Sequence, residues 1–111
     1  MELEEIIVYV TSSKEEEAFQ IGRAVVEDGL AACVNIIPQI SSIYRWKGEI
    51  CEDHELLLII KTRREMYKPL ELRIKELHSY EVPEIIAVGV SDGSESYIKW
   101  IRESTKGKGR K

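Results

Sequence analysis

Apolar residues recur in two rhythms along this chain, and each change of rhythm marks an element. Ile6-Ile7-Val8-Tyr9-Val10 is a continuous, mostly β-branched run, the pattern of a central strand covered on both faces. Thr11-Ser12-Ser13 follows, and Ser13 with Glu16 makes a capping-box signature for a helix start. Ala18, Ile21, Gly22 and Val25 then repeat at helical spacing, and Gly29 stands where a left-handed C-terminal residue belongs. Two long strands come next, over residues 32–46 and 49–62, joined at Lys47-Gly48 with glycine where a hairpin needs positive φ. At about 3.3 Å per residue each arm reaches about 40 Å or more, whereas a domain of this size has a radius of gyration of about 13 Å. The hairpin tip must therefore bend back or project.

The first arm reads as an edge strand because Pro38 cannot donate to a ladder and marks a bulge or bend. Ile36, Ile37, Ile40 and Ile43 make that edge apolar, and an exposed apolar edge invites association unless something covers it. The simplest cover is another copy of the chain. Leu56-Leu57-Leu58-Ile59-Ile60 is apolar at both parities, which makes the second arm central. Thr62 with Glu65 offers a second capping box, and Tyr67, Leu70, Ile74 and Leu77 give a helical stripe ending near His78. Pro69 calls for a later start or an irregular first turn. Residues 85–90 form a fourth strand, Asp92-Gly93 a turn and residues 94–104 a last helix. The order βαββαβ(α) is the ferredoxin-like split βαβ plan, an α+β sandwich with both main helices on one face.

Composition narrows the function classes. One domain is expected over residues 1–105, with a flexible basic tail at 106–111. The formal net charge is −4, yet four of the 16 basic residues lie in that tail, leaving a body of 12 basic against 20 acidic residues. An acidic body argues against nucleic acid as a partner. The longest apolar runs are far below the roughly 20 residues of a membrane span, so no membrane partner is expected. The acidic start Met1-Glu2-Leu3-Glu4-Glu5 does not resemble a signal peptide. A cytoplasmic location follows as the expectation, with Cys33 and Cys51 reduced. A two-residue turn places Cys51 opposite Tyr44 and Cys33 opposite Thr62, about 36 Å apart along the ladder at strand rise, too far for a disulfide.

Four segments together resemble the CutA family of divalent-cation tolerance proteins: residues 30–38 (LAACVNIIP), 42–50 (SIYRWKGEI), 60–62 (IKT) and 78–84 (HSYEVPE). The closing Tyr97-Ile98-Lys99-Trp100 matches that family's ending, and the likeness spans roughly residues 6–103 in order. It implies a homotrimer packed through long hairpins, divalent metal ion (copper-type) binding, and a role in metal tolerance and response to metal ion. Some members carry a cysteine near the end of the first strand and two adjacent histidines. Here Val10 and Leu77-His78 occupy those positions, so the resemblance implies a weakly held copper or zinc ion.

His78, Glu81 and Glu84 are the candidate metal ligands, since imidazole with carboxylates suits borderline divalent ions. His78 at a helix C-terminus equally suits a capping role. Cys33, Trp46, Lys61, Tyr80, Tyr97 and Trp100 are candidates for a cleft between subunits. Trp46 beside the turn packs on a neighbouring subunit or stacks on a ligand. Lys61 pairs with Glu84 or meets an anionic ligand. Tyr97 and Trp100, three apart, anchor the last helix. Cys33 as a small core residue and His54 within a solvated charged run are the plainer readings of those two. No nucleophile–base spacing, phosphate loop or zinc-type cysteine pair occurs, so neither enzymatic activity nor an organic cofactor is expected. A PII-like small-molecule-binding signalling trimer and a structural docking trimer are the alternative readings.

Overall fold

The computed structural model describes residues 3–106. Along it run β1 (Glu5–Ser12), α1 (Glu15–Glu27), β2 (Cys33–Trp46), β3 (Glu49–Arg63), α2 (Tyr67–Leu77), β4 (Ile85–Gly89) and α3 (Glu95–Ser104). The strands form one antiparallel sheet in the order β2-β3-β1-β4. This is the ferredoxin-like α+β plan expected from the sequence. Residues 107–111, most of the expected basic tail, lie outside the described residues. No helix among the described residues is long and apolar enough to cross a membrane.

The core lies between the sheet and two helices. Val8, Val10, Leu58 and Ile60 point from β1 and β3 toward Ala18, Ile21 and Val25 of α1 and Leu70 and Ile74 of α2, all fully buried. Period-two alternation in the strands meets a helical stripe, and both bury their apolar sides together. Arg73 Nε to Asp28 Oδ2, 3.0 Å, ties α2 to the end of α1. The other sheet face is covered at one end only. There α3 packs Ile98 and Ile101 on Ala32, and Arg102 reaches the fully buried Glu5 at 3.2 Å.

Three local expectations need correction. Ser13 caps no helix. Ser12 is still paired to Leu56, so the chain turns its corner at Ser13 and α1 begins after Lys14, with no side-chain cap. Three glutamates in its first turn face the positive end of the dipole instead. Thr62 likewise remains within β3, where its hydroxyl donates to Leu30 O at 2.6 Å. A single 3₁₀ turn, Arg64–Met66, then precedes α2, which leaves Pro69 in the first turn of that helix, where its missing N–H costs little. The third correction concerns register. Cys51 pairs with Tyr44 as expected, but Cys33 pairs with Lys61 rather than Thr62. A bulge between Ile37 and Ile40 inserts one extra residue, and Gln39 takes φ 58° there, next to Pro38. Both cysteines are free.

The hairpin projects. Lys47 and Gly48 have φ 52° and 82°, the two left-handed residues of a type I′ turn. The molecule measures 44 × 30 × 22 Å. Beyond the bulge the arms leave the helices, so Ile43 is 71% and Ile50 60% exposed.

Candidate functional site

Where the hairpin departs from the sheet, the loop after α2 folds back toward it and leaves a hollow of about 660 Å³. One wall is β2, with Ser42, Ile43, Tyr44 and Trp46. The opposite wall is the loop, with Tyr80, Glu81, Val82, Pro83 and Glu84. Thr11, near the end of β1, and Glu55 of β3 also line it. The strand pairing explains the convergence: β1 and β3 end their shared ladder at Ser12–Leu56, and the polar segment of β3 begins there.

His78 holds the loop in place. Its backbone N–H closes α2 by bonding Ile74 O at 2.9 Å. Its side chain is closed to solvent, and both ring nitrogens are engaged. Nε2 lies 2.6 Å from Thr11 O, and Nδ1 accepts the Tyr80 N–H at 3.1 Å. This network assigns the proton to Nε2, which donates to the carbonyl. Glu17 of α1 brings Oε2 to 3.3 Å from Nδ1 and accepts the Ser79 N–H at 3.1 Å. The Tyr80 ring packs against the imidazole with centroids 4.6 Å apart.

Tyr80 passes this order to the hollow. Its hydroxyl donates to Glu55 Oε2 at 2.6 Å, and its pKa is pushed up to about 12, by burial first and then by that hydrogen bond. Tyr44 donates to Asp53 Oδ2 across the hairpin. Its pKa is also pushed up to about 12, chiefly by this bond. Both phenols are therefore neutral donors at ordinary pH. Glu55 is only 7% exposed, and no cation pairs with it among the described residues. Trp46 already meets one cation, with Lys47 Nζ 5.6 Å from the ring centroid.

The sequence candidates fall into two places. Trp46, Tyr80, Glu81 and Glu84 line the hollow, with His78 behind it. Cys33, Lys61, Tyr97 and Trp100 lie on the α3 side of the sheet. There Lys61 Nζ donates to Asn35 Oδ1, so the expected ion pair with Glu84 is not made. Cys33 is half-buried, 3.9 Å from the same oxygen. Tyr97 packs on Trp100 with centroids 5.3 Å apart, and its pKa is raised by burial and then by Cys33. Tyr44, Glu55, Thr11 and Glu17 were not singled out from the sequence. Only Tyr44 carried a signal, as part of the SIYRWKGEI segment.

Within one protomer His78 does not fit a metal site, because ligation at either nitrogen would break a hydrogen bond. No group of three or more His, Cys, Asp or Glu among the described residues is arranged to hold a metal ion. The carboxylates of Glu81 and Glu84 remain as oxygen donors on the loop, suited to weak binding of hard or borderline cations.

Residues 6–104 match the sequence model of the CutA1 divalent ion tolerance protein family. The divalent-cation tolerance protein CutA of Thermus thermophilus is 50% identical over 101 residues, covering 91% of this chain and 98% of that protein. Its solved structure superposes with a TM-score of 0.89. A chloroplastic CutA of Arabidopsis thaliana is 44% identical over 91% of this chain, which spans only 56% of that longer protein. The structure of the periplasmic divalent cation tolerance protein CutA of Archaeoglobus fulgidus, 36% identical, covers 92% of this chain and 99% of its own at TM-score 0.89.

Proposed function

This chain belongs to the CutA1 divalent ion tolerance family, and we propose that it serves divalent-cation tolerance as a homotrimer without catalytic activity. The observation that carries the trimer is the projecting hairpin. Ile37, Ile43, Tyr44, Trp46 and Ile50 are each at least 39% exposed, on strands with the composition of a core. On the open sheet face, Ile86 and Val88 of β4 stand beside Ile7 and Tyr9 with no helix above them. Apolar surface on this scale is buried by association, and a hairpin that outreaches its own domain suits a neighbouring copy. The ring order of three rests on the family resemblance.

The ion in this reading is copper or zinc, held weakly. Glu81 and Glu84 supply carboxylate oxygens, a neighbouring copy completes the ligand set, and His78 positions the loop. Titration of the assembled protein with copper and with zinc tests this. Saturable binding that Glu81→Gln with Glu84→Gln weakens is the expected result. Absence of binding tighter than about millimolar would overturn it. The cytoplasm is the compartment we assign, because two free thiols suit a reducing environment. Relatives named as chloroplastic and periplasmic place the same fold elsewhere.

A further inference from the structure

The uncovered face of the sheet carries its charges at opposite ends. The bulge puts its extra residue in β2, so β3 alternates without a break and its odd-numbered residues from Glu49 to Lys61 share the face turned away from α1 and α2. At the α3 end stands Lys61, between Ile7 of β1 and Cys33 of β2. Its ammonium donates to Asn35 Oδ1, a neutral oxygen, and no carboxylate pairs with it among the described residues. Arg63, the next basic residue on this face, is held by Glu65 and Thr105. The middle is apolar, with Ile59, Tyr9 and Ile86 side by side. On the hairpin half, the charged residues that the two strands place on this face are all acidic: Glu55, Asp53 and Glu49. Glu55 is buried and taken by Tyr80, whereas Asp53 and Glu49 are exposed. The Tyr44 hydroxyl orients Asp53 through one of its two oxygens.

We propose that the assembly closes head to tail through this face, with the Lys61 ammonium of one copy paired to Asp53 or Glu49 on the hairpin of the next. One contact then meets two needs. The apolar middle demands cover, and that cover strips water from Lys61, which is costly for an ammonium without a counter-charge. Within one chain the exposed carboxylates are out of reach. At strand rise Asp53 lies about 26 Å from Lys61 and Glu49 about 40 Å. A hairpin that outreaches its own domain brings them to a neighbour instead. Acidic end against basic end is a heterologous contact, the kind that closes into a ring when its rotation allows. The strands then lie across the symmetry axis, since strands along it would set every Lys61 at one height, far from the carboxylates. The inference rests on the homotrimer reading, and adds to it which ends meet and which charges fix their register.

The test is a double-mutant cycle on the full chain, read as mass against concentration in sedimentation, with circular dichroism to show that each variant folds. Lys61→Glu sets like charges together and should raise the dissociation constant of the assembly at least about tenfold. Adding Asp53→Lys or Glu49→Lys to the same chain should recover most of that loss. Substitutions about 26 Å apart in one chain simply add, so recovery arises only between copies. Where Lys61→Glu does not fold, Lys61→Met takes its place, crossed with Asp53→Asn and Glu49→Gln. The combined variant should then assemble no more weakly than Lys61→Met alone. A wild-type trimer with no recovery from either lysine substitution, or with additive losses in the neutral cycle, would overturn the proposal and leave the homotrimer standing. A wild-type mass of one chain would overturn both.

Discussion

The inner half of β3 and its outer half are one continuous strand, yet they obey different rules. From Leu56 to Thr62 alternate side chains vanish under α1 and α2, and Leu58, Ile60 and Thr62 are fully buried. From Glu49 to His54 the same strand carries Ile50 at 60% exposure, opposite an equally apolar arm of β2. The inner half satisfies its apolar residues within the protomer. The outer half has nothing of its own to bury them against, so its apolar residues are explained by a neighbour. The division falls at the bulge around Gln39, where the register shifts by one and the hairpin leaves the helices.

Substitutions on the two sides should therefore separate folding from assembly. Leu58→Ala opens a cavity in the closed core and should cost about 2–5 kcal/mol, measured by chemical denaturation. Arg102→Ala leaves the buried Glu5 carboxylate without its ion pair and should cost about 1–3 kcal/mol. Ile43→Glu with Ile50→Glu should leave the protomer's secondary structure intact by circular dichroism while lowering the mass in sedimentation. A large loss of helix or strand signal in that variant would erase the division between the halves.

Alkaline pH gives a finer contrast. Tyr80 and Tyr44 both have folded pKa values raised to about 12 from an ordinary 10. Their contribution to stability is whole below about pH 10 and is lost as pH rises toward 12, because the unfolded chain ionises first. Tyr80→Phe should flatten that fall in a pH series of denaturation midpoints. Tyr44→Phe should change it less, because its hydrogen bond to Asp53 lies on the exposed hairpin, where water screens it.

Elements carried by periodicity were legible in the sequence: four strands, three helices, the Lys47-Gly48 turn and the overlong hairpin. Details set by one residue's tertiary partner were not. Ser13 and Thr62 look like helix caps, but both strands run further than their apolar runs, and Thr62 bonds Leu30 across the fold. Pro38 announced an irregularity, while the direction of the slip depends on Gln39 taking a left-handed conformation, which nothing local demands. The same holds at the hollow. Trp46, Tyr80, Glu81 and Glu84 stood out within recognisable segments. Glu55 sits at the boundary between a charged and an apolar run and resembles neither. Glu17 meets the His78 loop only because α1 and α2 pack side by side. His78 itself was left between capping and ligation, and the bonds at both ring nitrogens give it a positioning role.

Sedimentation equilibrium of the full chain at micromolar concentration tests the central claim most directly. A mass three times that of the chain, reduced by Ile43→Glu with Ile50→Glu but kept by a surface change such as Lys68→Ala in α2, is the predicted result. A wild-type mass equal to one chain would contradict it.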